Sequence, residues 1–345
     1  SYDANGDIIP NSGCGSWLME GQSTNLIPYS SDFNQWITVG SSSVSTNTLI
    51  SPDGELSADT CNAAIASNSG FYSTYSTTIG LSYTTSIFIK KGTRNWVALF
   101  KSNGSAVGAW FDLENETIGT IASGESANIE NYGNGWYRCS LTGNATNTTS
   151  YFQFLVADSN DSVSNSIAGT IYIYGAMLEQ NSYATSYIPT QGASSTRLQD
   201  IATNSGNASL INSEEGTIYG EQKSLETNFT YNYFASVSDG TTNNRLEIRQ
   251  AGTSLQFLWR VGGTYQGAIT LSNAPFSSII KYAVSYSSTD IAFYVNGSLV
   301  GTIDTPTLYS LGTLNNLELA DGGGALNFRG KTKSLQVYKT ALTDA

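Results

Sequence analysis

Short segments with the alternating pattern of β-strands recur along almost the whole chain, and this rhythm constrains the fold most. Segments such as TTSIFIKK (Thr84–Lys91) and YFQFLVA (Tyr151–Ala157) follow one another at intervals of about 8–14 residues, with turn residues between them. No segment keeps a helical apolar period of about 3.6 residues over several turns, and no apolar run reaches roughly 18 residues. In a chain of 345 residues, the pattern predicts an all-β protein with two tandem antiparallel β-sandwich (jelly-roll) domains and no membrane insertion.

Turn dipeptides separate many of these segments. Gly262-Gly263 lies between SLQFLWRV and TYQGAITL, and Asn296-Gly297 lies between IAFYV and SLVGTI. Asn and Gly accept the positive φ angles of tight turns, so both sites predict β-hairpins. Three further dipeptides predict turns on the same grounds: Asn103-Gly104, Asn134-Gly135 and Asp239-Gly240.

A stretch near the middle of the chain, residues 190–213, lacks aromatic residues and a dense apolar pattern. We therefore expect one β-sandwich over residues 1–190, a linker over 191–213 and a second β-sandwich over 214–345.

The net charge of −12 restricts the class of partner. Phosphates require a basic surface, so no nucleic acid is expected, and an anionic membrane surface is disfavoured for the same reason. A polysaccharide is compatible with this charge, although an acidic surface is also explained by solubility alone.

The chain contains no histidine, which removes the usual general base and every Ser-His-Asp or Cys-His triad. No Glu-x-Asp-x-x-Glu strand of the kind used by jelly-roll glycosidases is present. We therefore expect no enzymatic activity and no zinc site. A lyase that uses a tyrosine as base and a lysine or arginine as neutraliser stays open as an alternative, since the chain has 21 tyrosines.

The three cysteines, Cys14, Cys61 and Cys139, are widely spaced and form no CxxC motif. We interpret them as buried thiols, with one disulfide and one free thiol as the alternative.

Exposed aromatic rings commonly stack on the apolar face of a sugar, while polar side chains read its hydroxyls. Trp96 shares a mixed strand face with Arg94, Trp36 and Trp110 follow polar or small residues, and two tyrosines alternate with Ser and Thr in GFYSTYST. Three other tryptophans, Trp17, Trp136 and Trp259, are predicted to lie in the cores. The predicted ligand-binding residues are Trp96, Arg94, Trp36, Trp110, Tyr72 and Tyr75.

The sequence Asp158-Ser159-Asn160-Asp161 places alternating oxygen ligands in a predicted loop. Calcium prefers such ligands, so Asp158, Asn160 and Asp161 form a candidate structural calcium site. The competing interpretation is that Asp and Asn are common in turns.

Two groups of segments resemble known families. The order of segments from GSWLMEGQSTNLIPYSSDFNQW (Gly15–Trp36) to IYIYGAMLEQNSYATSYIPT (Ile171–Thr190) resembles the jelly-roll modules of tailed-phage appendage proteins and flavobacterial surface proteins, and is distantly similar to galactose-binding-like carbohydrate-binding modules. VNGSLVG (Val295–Gly301) and GKTKSLQVYKTALTDA (Gly330–Ala345) resemble the closing strands of laminin-G / concanavalin A-like lectin domains. Relatives usually carry an N-terminal attachment region and continue beyond TALTDA, so we expect the sequence to be a piece of a longer protein.

The resemblance implies a non-catalytic glycan-binding or decoration unit of a phage virion appendage, located on a virion surface or outside a cell. Its implied partners are a polysaccharide or cell-surface glycan, other virion proteins and further copies of the chain in a homo-oligomer. Three alternatives stay open: a carbohydrate-binding-module pair of a secreted bacterial polysaccharide-degrading enzyme, a purely structural virion protein, and a polysaccharide lyase acting in a cleft between the domains.

Overall fold

The computed structural model describes residues 15–101, 108–202 and 205–342. These residues form β-strands and one short 3-10 turn at Phe33–Gln35, without an α-helix. The predicted all-β fold class is confirmed. None of the described residues belongs to a helix that is long and apolar enough to cross a membrane.

The strands fall into two groups along the chain. Up to Arg197 they are β1 (Trp17–Met19), β2 (Ser23–Asn25), β3 (Ile37–Val39), β4 (Ser43–Ile50), β5 (Leu56–Ala63), β6 (Ala66–Ser67), β7 (Ser69–Ser76), β8 (Ser82–Lys91), β9 (Trp96–Phe100), β10 (Gly108–Asp112), β11 (Thr117–Ile121), β12 (Glu125–Gly133), β13 (Trp136–Asn144), β14 (Thr149–Ala157), β15 (Ser164–Asn165), β16 (Gly169–Glu179) and β17 (Ser195–Arg197). The later strands are β18 (Gly216–Ser224), β19 (Asn232–Ser238), β20 (Arg245–Ala251), β21 (Ser254–Val261), β22 (Thr264–Leu271), β23 (Ile280–Tyr286), β24 (Asp290–Val295), β25 (Ser298–Asp304), β26 (Asn316–Glu318) and β27 (Gly330–Tyr338).

The N-terminal unit, residues 22–198, is a β-sandwich of two six-stranded antiparallel sheets. Their strand orders are β11-β10-β9-β14-β7-β3 and β12-β13-β8-β16-β5-β4. Alternate residues of a strand point to opposite faces, so Ile87 and Ile89 of β8 join Val97 and Leu99 of β9 in one core, where all four are fully buried.

The C-terminal unit comprises the described residues up to Gly21 and those from Gln199 onward. Its six-stranded sheet has the order β1-β27-β18-β23-β24-β25, and its five-stranded sheet has the order β22-β21-β20-β19-β26. Phe234, Phe257, Tyr282 and Phe293 fill the core between them. The Tyr282 hydroxyl donates a hydrogen bond to Gln222 Oε1 at 2.5 Å, so this buried polar group is satisfied.

The predicted hairpins are present. Gly262-Gly263 joins β21 to β22 with φ angles of 56° and 79°, and Asn296-Gly297 joins β24 to β25 with φ angles of 51° and 81°. Asn134-Gly135 joins β12 to β13, and Asp239-Gly240 begins the turn from β19 to β20. Asn103-Gly104 lies outside the described residues.

The boundaries between the units differ from the predicted ranges 1–190, 191–213 and 214–345. β1 pairs with β27 and so belongs to the C-terminal unit. β17 pairs with β2 and belongs to the N-terminal unit, although it falls inside the predicted linker. Both strands have three residues, which is too short for a recognisable alternation.

Cys61 of β5 and Cys139 of β13 are free thiols in the core of the N-terminal unit, as predicted. Burial raises the pKa of Cys61 to about 12 and also raises the pKa of Cys139, which keeps both thiols protonated and unreactive. Cys14 lies outside the described residues.

Candidate functional site

A surface segment covers the sheet face that carries Trp96 and Trp110, two of the residues predicted to bind ligand. Trp96 is half-buried beside a small apolar cluster on the outer face of β9, β10 and β14. Residues 158–166 lie over this cluster: Trp110 Nε1 donates to the Ser162 carbonyl at 2.8 Å, and Val163 packs against the same side chains. Trp110 is 4% exposed and has no face for a sugar, so its prediction is wrong. Trp96 keeps partial exposure, and its role stays a prediction.

Arg94 holds the covering segment in place. Its guanidinium forms an ion pair with Asp158 and donates hydrogen bonds to the Ala157 carbonyl at 3.4 Å and to Asn165 Oδ1 at 3.5 Å. The structure therefore gives Arg94 a structural role, and its predicted ligand contact stays a prediction.

Trp36 and Tyr75 are buried in the main core of the N-terminal unit, and both predictions are wrong. The 3-10 turn before Trp36 directs its ring inward, where Nε1 donates to the Tyr29 carbonyl at 2.8 Å. Tyr72 and Tyr75 are three residues apart on one strand, so they point to opposite faces. Tyr72 is half-buried on the outer face beside Tyr151, with 5.5 Å between the ring centroids, and its role stays a prediction.

The tryptophans predicted to be core residues differ in outcome. Trp259 is buried in the core of the C-terminal unit, as predicted. Trp136 is also buried, but within a second apolar cluster with Phe88 and Tyr174, outside the main core. Trp17 is 73% exposed on the edge strand β1, so its prediction is wrong.

Two of the predicted calcium ligands, Asp158 and Asn160, form hydrogen bonds or an ion pair with other residues of the chain. The Asp158 carboxylate pairs with Arg94 and accepts a hydrogen bond from the Ser166 amide at 2.7 Å. Asn160 Oδ1 accepts one from the Thr120 amide at 2.7 Å, and Asp161 occupies the left-handed region with φ 58°. Among the described residues no three acidic, Cys or His side chains converge on a metal position. These bonds give Asp158 and Asn160 roles within the fold, and the calcium site at Asp158, Asn160 and Asp161 stays a prediction.

A groove of about 690 Å³ lies on the solvent-facing side of the six-stranded sheet in the C-terminal unit. We name it the tyrosine groove. Ile218 of β18 and Val284 of β23 point into the core, so the side chains of their neighbours point outward. The residues that define the groove are Tyr219, Lys281, Ala283, Tyr294, Gln336 and Tyr338.

The strand register arranges these side chains in a row. Tyr219 lies opposite both Gln336 of β27 and Ala283 of β23, and Ala283 lies opposite Tyr294 of β24. Adjacent strands are about 4.8 Å apart, so the Tyr219 and Tyr294 backbones are separated by about 10 Å. The small Ala283 side chain between them leaves open space flanked by two aromatic rings.

Hydrogen bonds hold the tyrosine rings of this groove. The Tyr219 hydroxyl donates to Glu221 Oε1 at 2.6 Å, and the Tyr338 hydroxyl donates to Gln336 Oε1. Burial and the bond to Glu221 raise the pKa of Tyr219 to about 12. Tyr219 is therefore protonated at neutral pH, which suits it to binding better than to acting as a base.

Two buried carboxylates lie on the outer face of the five-stranded sheet, but they are covered. Glu247 is fully buried and forms ion pairs with Arg245 and, at 3.4 Å, with Arg249. Glu318 is 4% exposed, and burial raises its pKa. The backbone at Gly322 packs closely against Arg245. Neither carboxylate is therefore open to a substrate.

A family comparison agrees with this architecture. Residues 210–345 match the family described as the Concanavalin A-like lectin/glucanases superfamily. The C-terminal unit is a lectin-like jelly roll. No curated protein matches the chain.

Similar solved structures include carbohydrate-binding and laminin modules. The IT-sialidase CBM40 of Ruminococcus gnavus is 18% identical over 42% of this chain and 91% of that chain, with a TM-score of 0.35. The heptameric SAP-like pentraxin of Limulus polyphemus is 18% identical over 41% and 70%, with a TM-score of 0.33. Domains LG4-5 of the mouse laminin alpha1 chain are 11% identical over 81% and 88%, with a TM-score of 0.30. TM-scores this low support no statement about the function of this chain.

Proposed function

We propose that the chain is a non-catalytic glycan-binding protein and that the tyrosine groove holds the sugar. The observation that carries this proposal is a set of three tyrosine rings on one solvent-facing sheet, within the unit that matches a lectin superfamily. A sugar presents apolar faces that stack on aromatic rings and hydroxyls that bond to side chains such as Gln336 and Lys281. The groove offers both kinds of contact.

We further propose that this binding serves adsorption of a phage virion appendage to a polysaccharide or cell-surface glycan. The resemblance of the N-terminal segments to appendage modules supports this assignment. In such an appendage, several copies of the chain act together, so that many weak sugar contacts give strong overall attachment. Light scattering of the purified chain tests the oligomer, and co-purification with virion proteins tests the location.

The groove is tested by a glycan array followed by titration of the best glycan into single variants. Tyr338→Ala and Tyr294→Ala should each weaken binding about tenfold, because each removes one stacking surface. Tyr338→Phe keeps the ring and should keep most of the affinity. Tyr265→Ala is the matched control, since Tyr265 is a 54% exposed tyrosine on the other sheet of the same unit.

Binding that survives both groove variants would place the sugar elsewhere, and Trp96→Ala then tests the half-buried ring of the N-terminal unit. Silence on the array, with the chain found as a stoichiometric part of a larger particle, would favour a structural role and overturn the proposal.

A further inference from the structure

A second cavity, of about 230 Å³, lies on the outer face of the N-terminal unit. Three cross-strand pairs of β12 and β13 form its floor: Ser126 with Thr142, Asn128 with Ser140, and Glu130 with Arg138. Residues 182–184 form part of the wall. We name this cavity the Arg138 pocket.

Arg138 is a buried cation that forms no ion pair with any described residue, although its charge interacts with that of the buried Glu179. It is 4% exposed, and its guanidinium carbon lies 5.3 Å from the centroid of the Phe88 ring. Nη2 donates to Ser86 Oγ at 2.9 Å and contacts Met177 Sδ at 3.5 Å, and both acceptors are neutral. Nε has no hydrogen-bond partner. Nε is also closed to solvent, whereas Arg138 as a residue lines the cavity. Burial of a charged donor in this state is unfavourable, so an anion in the cavity beside the guanidinium would stabilise it.

The nearby carboxylates do not meet this need. Glu179 is fully buried, but its oxygens accept hydrogen bonds from Ser23 Oγ at 2.6 Å, from the Thr185 amide at 3.0 Å and from the Thr185 hydroxyl. Glu130 lies opposite Arg138 on the neighbouring strand, but it is exposed and forms no ion pair with Arg138. Arg138 thus lines a cavity whose other groups are hydroxyls, an amide and the exposed Glu130, and no described carboxylate is ion-paired to it.

The size and lining of the cavity indicate the class of ligand. Its volume is below the range of about 300–1,000 Å³ that holds drug-sized molecules, so it suits one sugar residue better than an oligosaccharide. Arg is the preferred side chain for carboxylates, and Ser, Thr and Asn suit sugar hydroxyls. We propose that the Arg138 pocket binds the carboxylate of an acidic sugar residue such as a uronic acid, independently of the tyrosine groove.

Sodium glucuronate, titrated into the full chain and followed by calorimetry, tests the proposal. Saturable binding should be at least about tenfold stronger than that of glucose or sodium acetate, since only glucuronate satisfies both the cation and the hydroxyl groups. Arg138→Met and Asn128→Ala should each weaken it, and Glu130→Gln should strengthen it by removing a like charge. Tyr338→Ala should leave it unchanged, which separates this site from the groove.

Folding of the variants is checked by thermal unfolding. Arg138→Met removes a charge that favours the ionised form of the buried Glu179, so some loss of stability is expected. Asn128→Ala changes an exposed residue and carries the test if Arg138→Met does not fold. Equal binding of acetate and glucuronate would show that the pocket takes up an adventitious ion only. Stronger binding of a sulfated neutral sugar than of glucuronate would show that the site does not select a carboxylate. Either result, or glucuronate binding that persists in Arg138→Met, overturns the proposal.

Discussion

The ion pair of Lys101 and Glu125 should strongly destabilise the N-terminal unit when only one partner is removed. Lys101 Nζ lies 2.7 Å from Glu125 Oε2, and the side chains are 6% and 5% exposed. Burial lowers the pKa of Lys101 and raises the pKa of Glu125, so each charge depends on its partner. Removal of one member of such a pair leaves an uncompensated buried charge, which costs about 3–5 kcal/mol.

Lys101→Met should therefore lower the unfolding free energy of this unit by about 3–5 kcal/mol. The double variant Lys101→Met with Glu125→Leu leaves no charge behind and should recover most of that loss. The matched control is Lys91→Met, because Lys91 pairs with Glu114 at the surface, with the side chains 45% and 51% exposed. Exposed pairs contribute less than about 1 kcal/mol, so the control should change little.

Hydrogen exchange measured by mass spectrometry along a urea series is the appropriate assay, since peptides from residues 22–198 report on this unit alone. A double variant no more stable than Lys101→Met, or a single variant as mild as Lys91→Met, would refute the reasoning from mutual neutralisation.

Two further perturbations follow from other buried positions. Asp59 is 1% exposed, and burial raises its pKa to about 6. A carboxyl whose pKa is raised in the folded state adds stability below its unfolded pKa of about 4, and this stability is lost as the pH rises through 6. The unfolding free energy of the parent chain should therefore fall by up to about 3 kcal/mol between pH 4 and 7, and Asp59→Asn should abolish this fall. Urea melts that give the same pH profile for the variant and the parent chain would contradict this. A Cβ atom at Gly322 would lie 2.7 Å from Arg245 Cδ and 2.8 Å from the Thr241 carbonyl, whereas one at Gly323 would meet nothing closer than 3.3 Å. Gly322→Ala should lower the unfolding free energy of the C-terminal unit by about 1–3 kcal/mol, and Gly323→Ala should lower it by much less. Equal effects of the two variants in thermal unfolding would count against the close packing at Gly322.

The strands and hairpins could be predicted because their signals are local. The alternation of Thr84–Lys91 in β8 and the turn at Gly262-Gly263 depend only on neighbouring residues, and both are predicted from the sequence. The burial of Trp110 could not be predicted in this way, since it depends on the distant segment 158–166 that covers it. A strand pattern shows which residues share a face, but it does not show what packs on that face.

The tyrosine groove was missed for a related reason. Its aromatic residues come from β18, β24 and β27, and only the sheet order makes them neighbours. The available signal was Tyr219 alternating with the buried Ile218, but this pattern alone does not distinguish a groove from an ordinary sheet surface. The Arg138 pocket was equally hidden, because the lack of an acceptor for Nε is a property of the folded surroundings.

The pairing of β1 with β27 makes the N-terminal unit an insertion within the C-terminal one, which is therefore a discontinuous domain. The chain leaves this host at Gly21 and returns at Gln199, beside a hydrogen bond of 2.8 Å from the Glu20 amide to Asp200 Oδ2. On the ribosome, the inserted sandwich can fold while β1 is still unpaired, because β27 is synthesised after the whole inserted unit. A lectin-like fragment cut at residue 199 would expose the unpaired backbone of β27 as a new sheet edge, which is a template for aggregation. Expression of the host domain alone should therefore succeed when residues 15–21 are grafted back by a short linker.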